Sequence, residues 1–202
     1  MQANHHKKKL LKRLFILGAG GHGRAVAEAA TLLRVWDSIV FLDDSFPTHK
    51  TSSCWPILGG TGDLSNVASK YDEAFVAIGN QEARQQLINQ IANLQVPLAT
   101  IVHPHAWVSS HARIGQGVAI MAGAIVGFNA KIGYGVIVNA NATVDHDVIL
   151  EDFAHLGVGT HLAGGVIVRK AAWLQAGCSA GYHVEIEENA TVLPGTALTA
   201  QF

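Results

Sequence analysis

A branched aliphatic residue recurs at every sixth position in the second half of this 202-residue chain. The series comprises Val102, Val108, Ile114, Ile120, Val126, Ile132, Val138, Val144, Leu150, Leu156, Leu162, Val168, Leu174, Ile186, Val192 and Leu198, and only Ala180 interrupts it. An α-helix does not repeat every six residues, and a flat sheet has no reason to. The period therefore predicts a parallel β-helix in which each repeat forms one side of a coil.

Two further positions of the repeat support this prediction. The residue four places after each aliphatic is small or β-branched, as at Ala106, Ala112, Ala124, Ala130, Ala142, Ala154, Thr160, Ala172, Cys178 and Ala190. It has the same parity as the aliphatic residue, so both side chains should point into the coil. The residue three places after the aliphatic is Gly, Asn or Asp in most repeats. These residue types tolerate left-handed backbone angles, so we place the corners of the coil there.

Composition narrows the possible partners and compartment. With 49% hydrophobic and 14% charged residues the chain is globular, and its net charge of −1 gives no electrostatic footprint for nucleic acid. The apolar residues are interrupted too regularly for stable membrane insertion.

Cys54 and Cys178 are far apart, so we expect no disulfide and a reducing, cytoplasmic compartment. Residues 1–13 form a basic leader that lacks the apolar stretch of a secretory signal, with contact to an acidic membrane as the alternative.

The residues before the repeats predict a Rossmann-like α/β domain. Three short apolar runs, each followed by a glycine or acidic turn, are interpreted as parallel strands: residues 14–17, 39–42 and 74–78. Helix-like stretches at 25–33 and 82–94 provide crossovers. We therefore predict a nucleotide-sugar-binding domain over residues 14–98 and a β-helix over residues 99–202.

The turn after the first strand carries a nucleotide-binding pattern. Gly18, Gly20 and Gly23 match the dinucleotide fingerprint, and Asp43 follows about twenty residues later, where it could hold a ribose hydroxyl. Because only one mononucleotide-binding half precedes the repeats, one nucleotide fits better than two. Backbone N–H groups would then receive phosphate oxygens, with His22 as an additional surface donor. The alternative is that these glycines only form a tight turn.

One histidine of the coil has the neighbours of a general base. His146 lies at a predicted corner between Asp145 and Asp147, so its ring should project away from the interior. A carboxylate fixes the tautomer of a neutral imidazole and stabilises the imidazolium that forms on proton uptake. Gly164, one coil later, should leave room above the ring for a ligand. The alternative is a solvated surface histidine.

A second histidine belongs to an outward column. If three repeats form one coil, Ile137, His155 and Trp173 stack at intervals of roughly 5 Å, and this outward apolar column is a candidate subunit contact. A metal site is a poorer interpretation, because His146, His155 and His161 project from different corners and faces. We therefore predict no metal.

These features together resemble a known family. The uninterrupted hexapeptide pattern, the Gly18 to Arg24 turn and the stretch from Asn139 to Gly159, with its Val-Asp-His-Asp and Phe-Ala-His segments, resemble the sugar acetyltransferases of the left-handed β-helix superfamily. The most similar branch acetylates nucleotide-linked amino sugars for bacterial surface glycans and glycoproteins, and includes the enzyme that makes UDP-diacetylbacillosamine. The likeness covers nearly the whole chain after Arg13.

The resemblance implies a left-handed coil, a homotrimer, acetyl-CoA bound between neighbouring coils and a nucleotide sugar held by the N-terminal domain. It implies that His146 is the catalytic base and that Asp147 orients it. The positions that it assigns to the coenzyme are Asn139, His155, Gly164, Ala176 and Gly177. The positions that it assigns to the nucleotide sugar are Gly20, His22, Asp43, Asp44, Gly79 and Asn80.

The sequence thus predicts an acetyl-CoA-dependent N-acetyltransferase that acts on a UDP-linked amino sugar by direct attack in a ternary complex. A main-chain N–H, such as that of Gly164, would stabilise the oxyanion. Cys178 should face the packed coil and form no acyl-enzyme. The alternatives are O-acetylation of a sugar hydroxyl such as that of sialic acid, a non-catalytic trimeric nucleotide-sugar-binding scaffold and, more distantly, a nicotinamide oxidoreductase.

Overall fold

The computed structural model describes residues 12–199, which form an N-terminal α/β domain followed by a β-helix. The three-stranded parallel sheet has the order β2-β1-β5. The elements of this domain are β1 (Lys12–Leu17), α1 (Gly21–Leu33), β2 (Trp36–Leu42), β3 (Thr51–Ser52), β4 (Trp55–Pro56), a 3₁₀ turn (Thr61–Asp63), α2 (Leu64–Ala68), β5 (Glu73–Val76) and α3 (Gln81–Asn93). The predicted fold class is confirmed, and the β3–β4 hairpin and α2 are elements that the pattern did not indicate.

The central strand explains why this small domain folds as it does. Residues 14–17 of β1 are completely buried, because helices cover both faces of a parallel sheet. The strand begins at Lys12, inside the stretch expected to be a leader, and Lys12 pairs with Glu73 at 2.7 Å. The remainder of that predicted leader, residues 1–11, lies outside the described residues.

The β-helix consists of two-residue strands spaced six residues apart. Within residues 12–199 these are β6 (Ile101–Val102), β7 (Trp107–Val108), β8 (Arg113–Ile114), β9 (Ala119–Ile120), β10 (Ile125–Val126), β11 (Lys131–Ile132), β12 (Ile137–Val138), β13 (Thr143–Val144), β14 (Ile149–Leu150), β15 (His155–Leu156), β16 (His161–Leu162), β17 (Ile167–Val168), β18 (Trp173–Leu174), β19 (Ser179–Ala180), β20 (Glu185–Ile186), β21 (Thr191–Val192) and β22 (Ala197–Leu198). They stack into three parallel sheets that form the faces of a prism.

We number the faces in chain order. The first face contains β6, β9, β12, β15, β18 and β21, the second contains β7, β10, β13, β16, β19 and β22, and the third contains β8, β11, β14, β17 and β20. The first corner joins the first face to the second, the second corner joins the second to the third, and the third corner returns the chain to the first face. Equivalent residues on neighbouring coils are therefore 18 positions apart, as in the pair Ile137 and His155.

The interior and the corners follow the predicted repeat. The aliphatic and small residues form one continuous core, in which Ala180 replaces the missing aliphatic with 4% exposure. Every predicted corner residue has a positive φ: Gly117, Gly123, Asn129, Gly135, Asn141, Asp147, Gly159, Gly165, Gly177, Asn189 and Gly195. Phe153, Ala171 and His183 adopt the same backbone conformation without being Gly, Asn or Asp.

The first face of the coil packs against the N-terminal domain. Met121, Ala119 and Val26 of α1 belong to one buried cluster. The column of Ile137, His155 and Trp173 exists, as the strand register shows, but the expectation of a subunit contact is wrong for Ile137 and His155, which are buried within the chain itself. Ile137 is 1% exposed and His155 is 8% exposed, and the loop of the N-terminal domain at Gly79 lies against His155. Within residues 12–199, every helix is too short or too polar to cross a lipid bilayer.

Candidate active site

His146 lies at the second corner, between β13 and β14, with its side chain 53% exposed. Its Nδ1 is 2.8 Å from Oδ2 of Asp147, and the other oxygen of Asp147 accepts a hydrogen bond from Nδ2 of Asn129 at 2.7 Å. Because an ionised carboxylate can only accept, this contact places the proton on Nδ1 of a neutral imidazole. The lone pair of Nε2 is then available to receive a proton.

The charges at this corner tune the imidazole for proton uptake. The hydrogen bond to Asp147 raises the pKa of His146 and outweighs the lowering by burial, and the charges of Asp145 and Asp147 raise it further. The hydrogen bonds from Asn129 and His146 lower the pKa of Asp147, which keeps its carboxylate ionised. Asp145 also accepts a hydrogen bond from the main-chain N–H of His146 at 2.7 Å, which fixes the backbone of the corner.

Gly164 occupies the next coil at the same corner. A β-carbon on Gly164 would overlap the imidazole ring of His146, so the ring itself lies over this glycine. The expectation that Gly164 leaves room for a ligand above the ring is therefore wrong, because the imidazole fills that room. Two exposed aromatic residues, Phe128 and Tyr182, belong to the same corner column.

A second group of candidates lies between the first face and the N-terminal domain. Nε2 of His22 and Nδ1 of His155 are buried and have no hydrogen-bond partner among the described residues. His22 was expected to be a surface donor at the glycine turn, and this is wrong because its ring nitrogen is buried. The ring of His155 stacks on Trp173 with 5.7 Å between centroids. We call the region around His22, Gly79 and His155 the interdomain cleft.

The electrostatics of the interdomain cleft are opposite to those of the corner. Burial, followed by the charge of Arg84, lowers the pKa of His22 to about 4. Burial, followed by the charges of Arg84 and His22, lowers the pKa of His155 to about 3, while a hydrogen bond with the main chain of Gly79 opposes this shift. Both imidazoles are therefore neutral near pH 7 and can exchange hydrogen bonds with uncharged groups.

The loop after β5 contributes Gly79 and Asn80. A β-carbon on Gly79 would lie 3.7 Å from Cε1 of His155, so the main chain of this loop borders the imidazole. The side chain of Asn80 caps α3 by accepting a hydrogen bond from the N–H of Ala83 at 2.9 Å. Arg84, a buried residue of α3 that no sequence pattern indicated, donates to the carbonyl of Gly79 at 2.9 Å.

The glycine turn and the two acidic residues after β2 form one hydrogen-bonded unit. Asp43 accepts from the N–H of Ala19 at 2.7 Å and from the N–H of Ser45 at 2.9 Å. Asp44 accepts from the N–H of Thr61 at 2.7 Å. Both carboxylates thus support the loop backbone. A cavity of about 400 Å³ lies beside this unit, and its lining includes Gly20, Arg24, Asp43, His49 and Ser53.

The remaining coenzyme candidates lie at the first corner. Gly177 adopts a positive φ of 71°, Ala176 precedes it, and Oδ1 of Asn139 accepts from the N–H of Ala140 at 2.8 Å. Apart from the unit of Gly20, Asp43 and Asp44, the candidates within one chain form three separate groups: His146, Asp147 and Gly164 at the second corner, Asn139, Ala176 and Gly177 at the first corner, and the residues of the interdomain cleft on the first face. Across residues 12–199, His, Cys, Asp and Glu side chains form no cluster of three or more suited to a metal ion.

Comparison with known proteins connects both parts of the chain to the same enzymes. The family of the PglD N-terminal domain matches residues 13–91. The UDP-N-acetylbacillosamine N-acetyltransferase of Bacillus subtilis (strain 168) is 31% identical over 114 residues, which cover 55% of this chain. The matched region spans about half, 52%, of the length of that curated relative.

Two solved structures extend the likeness over nearly the whole chain. A variant of perosamine N-acetyltransferase from Caulobacter crescentus, in complex with CoA and GDP-perosamine, is 31% identical with a TM-score of 0.86, covering 92% of this chain and 90% of that one. The acetyltransferase domain of PglB from Neisseria gonorrhoeae, in complex with acetyl coenzyme A, is 35% identical with a TM-score of 0.73, covering 94% and 97%. The likeness therefore includes the N-terminal domain, the coil and their packing.

Proposed function

Because this chain belongs to the left-handed β-helix family of sugar N-acetyltransferases, we propose that it transfers the acetyl group of acetyl-CoA to the amino group of a nucleotide-linked sugar. The proposed acceptor is a UDP-linked amino sugar, the class in the name of the Bacillus subtilis relative. The GDP-linked sugar bound by the Caulobacter crescentus relative is the alternative. We place the reaction in the cytoplasm, the compartment expected from the sequence.

The observation that carries the proposal is the chain of hydrogen bonds from Asn129 through Asp147 to His146. It holds an exposed imidazole as the Nδ1–H tautomer and leaves Nε2 unprotonated. The amine of the acceptor attacks the thioester carbonyl carbon, a C–N bond forms, and Nε2 of His146 takes the proton from the amine. The C–S bond then breaks, and the leaving thiolate of CoA recovers that proton from the imidazolium.

The main chain at the second corner supports a role in stabilising the oxyanion. Among residues 12–199, the N–H of Gly164 donates to no protein acceptor, and the α-carbon of this glycine faces the imidazole of His146. We propose that it donates to the oxygen of the tetrahedral intermediate. Removal of one such donor from other enzymes costs about 3 kcal/mol of transition-state stabilisation.

The position of Cys178 supports direct transfer. Its side chain is completely buried, and Sγ contacts the carbonyl oxygen of Leu193 at 3.1 Å on the inside of the coil. A thiol in this position is inaccessible to a thioester at the surface. We therefore propose attack by the acceptor amine within a ternary complex. The structure of the Caulobacter crescentus relative, which holds CoA and GDP-perosamine together, supports the proposal of a ternary complex.

The separation of the three groups of candidates supports a homotrimer. A site that uses the second corner, the first corner and the interdomain cleft together needs residues of a neighbouring copy. An apolar patch formed by Trp107, Ile125 and Phe128, with exposures of 59%, 42% and 57%, lies on the second face and second corner. We propose that this patch is a protomer contact, because closed rings bury equivalent surfaces on every copy. Acetyl-CoA would then bind between neighbouring coils.

The N-terminal domain supplies the proposed acceptor site. The cavity beside Gly20 and Asp43 has the volume to hold part of a nucleotide sugar, about 400 Å³. Main-chain N–H groups at the start of α1 suit its phosphates. The unpartnered nitrogen of His22 and the loop of Gly79 and Asn80 would contact the sugar. We propose that His155, which the resemblance assigns to the coenzyme, also contacts the sugar, because its ring borders Gly79.

The test is a panel of UDP- and GDP-linked amino sugars incubated with acetyl-CoA, with release of free thiol as the readout. Matched sugars that carry a hydroxyl in place of the amine, together with sialic acid, test O-acetylation. We expect thiol release with an amino sugar and none with its hydroxyl counterpart. If thiol is released only with hydroxyl acceptors, the protein is an O-acetyltransferase, and the proposed N-acetyltransferase activity is wrong.

Two binding measurements address the alternatives that involve no acetyl transfer. Calorimetry should detect acetyl-CoA binding, whereas a scaffold that binds only nucleotide sugars gives no heat with the coenzyme. Binding of NAD in the same experiment would favour the oxidoreductase. Sedimentation equilibrium should give three times the chain mass of 21.4 kDa, and a monomer would contradict the shared site.

A further inference from the structure

Arg84 on α3 links the N-terminal domain to the coil through four hydrogen bonds, and its side chain is 1% exposed. Nη1 donates to the carbonyls of Ile78 and Gly79, at 2.9 Å each. On the other side, Nε donates to the carbonyl of Gly135 at 2.9 Å and Nη2 to that of Phe153 at 2.6 Å. The first two acceptors belong to the loop after β5, and the other two belong to the third corner of the coil.

Burying a guanidinium between two domains costs desolvation free energy. Its charge is separated from water, and burial lowers the pKa of Arg84 to about 10. Apolar side chains of similar volume often stabilise a buried site as well or better, so stability alone is a weak reason for an arginine here. The planar guanidinium does provide a rigid set of donors that fixes several acceptors relative to one another.

The groups that Arg84 fixes belong to the interdomain cleft. Gly79 accepts from the guanidinium and borders the ring of His155, since a β-carbon on the glycine would lie 3.7 Å from Cε1 of that ring. Phe153, the acceptor on the coil, precedes His155 by two residues. The guanidinium therefore sets the distance between the loop and the imidazole.

The charge of Arg84 also acts on both buried histidines. In each case it is the second cause, after burial, of a lowered pKa. The other titratable group acting on His155 is His22 from α1, and on the coil side the neutral ring of Trp173 covers the imidazole. Arg84 thus disfavours protonation of both rings.

We propose that Arg84 is a positioning residue of the acceptor site, which holds the loop of Gly79 and Asn80 at a fixed distance from His155. This inference rests on the proposed function, in which these three residues contact the nucleotide sugar. Arg84 itself reaches no reacting atom in this proposal. It acts through the loop and the imidazole.

The kinetic test compares Arg84→Met, which removes the donors and the charge, with Arg84→Lys, which keeps the charge but loses the planar donor set. For Arg84→Met we expect kcat/KM for the nucleotide sugar to fall roughly 100-fold, mostly through KM, because small displacements of a positioning group have effects of this size. Arg84→Lys should lose roughly 10-fold by the same argument. The KM for acetyl-CoA should be unchanged in both variants.

The matched control is Arg169→Met, which removes ion pairs to Glu151 and Glu185 on the coil surface without touching the cleft. It should lower the unfolding temperature and leave the KM for the nucleotide sugar unchanged. If Arg169→Met raised that KM as much as Arg84→Met does, the effect would be general destabilisation, and the positioning role would be rejected. If Arg84→Met does not fold, an unchanged KM in Arg84→Lys rejects it.

A measurement on the protein without substrates separates this inference from the proposed function. NMR titration of the histidine rings should show His22 and His155 neutral down to about pH 5 in the wild type, and Arg84→Met should raise both pKa values while Arg84→Lys should not. An inactive wild type would overturn the proposed function, whereas the titration would still report on Arg84. Unchanged ring pKa values in folded Arg84→Met, together with an unchanged KM, would overturn the inference.

Discussion

The second corner of the coil and the interdomain cleft both present histidines, but they place them in opposite surroundings. His146 is about half exposed and hydrogen-bonded to a carboxylate, which raises its pKa. His155 and His22 are buried beside a guanidinium, and their pKa values are about 3 and about 4. The difference indicates that histidine has two roles in this protein. In the proposed function, His146 takes up a proton at the corner, and the neutral rings of His22 and His155 bind the sugar in the cleft.

The largest effect should come from removing the ring at the corner. We expect His146→Ala to lower kcat about 100-fold or more, which is the size of general-base contributions, with little change in the unfolding temperature because the side chain is exposed. The control is His105→Ala, an exposed histidine at the first corner two coils before Asn141 that should keep full activity. Steady-state kinetics on both variants decides, and activity of His146→Ala within threefold of wild type would remove this residue from the mechanism.

The cleft should dominate the pH dependence of stability. Because the folded-state pKa values of His22 and His155 lie below that of a free histidine, the unfolded chain binds more protons between about pH 6.5 and 4. The free energy of unfolding is therefore highest above pH 6.5 and is lost as the pH falls. We expect the two rings together to cost roughly 3 kcal/mol between pH 6.5 and 5, measured by denaturant unfolding.

His155→Gln should flatten this loss, since it removes one of the two buried rings. The raised pKa of His146 has the opposite sign, and its stabilising effect is present at low pH and lost as the pH rises through that pKa. Stability that does not change between pH 6.5 and 5 would contradict the neutral state of the cleft histidines.

These two regions also differ in how far the sequence predicts them. The corner is local: the six-residue repeat places Asp147 at a left-handed position next to His146, and its partner Asn129 lies one coil away in the same column. The cleft depends on how the N-terminal domain packs against the coil, and no period connects those segments. An arginine in a helix such as α3 is usually exposed, so the sequence gives no sign that Arg84 is buried.

The same reason explains the errors at His155 and His22. The outward direction of His155 follows from its parity in the repeat, but whether a neighbouring domain or a second chain covers that face is a long-range property. For His22, the glycine turn and the helix were both predictable, whereas the inward rotation of one side chain at the start of α1 was not. Local periodicity thus predicts the faces of the coil, and tertiary packing decides which of them are covered.

A smaller effect should come from Asp147→Asn. The amide oxygen can still accept from Nδ1, so the tautomer survives, but the negative charge is lost. We expect kcat to fall about tenfold, as for loss of a hydrogen bond to a charged group. The pKa of His146 should fall, because Asp147 is the main cause of its increase, and the acidic limb of the pH profile should move to lower pH. A limb that stays in place would mean that His146 is not the group that titrates.

The smallest effect should come from Gly164→Ala, which tests whether the imidazole needs its position over the next coil. Neither Gly164 nor Gly181 has a positive φ, so alanine suits the backbone of both. A methyl group at Gly164 overlaps the ring of His146, whereas at Gly181 it meets only the carbonyl of Leu198 at 3.6 Å. Because a side chain can swing away at low cost, we expect Gly164→Ala to lower kcat about fivefold and Gly181→Ala to have no effect. If Gly164→Ala instead raised the KM for acetyl-CoA at constant kcat, Gly164 would act on the coenzyme. If Gly164→Ala and Gly181→Ala had equal kcat and KM, the corner would tolerate a displaced imidazole.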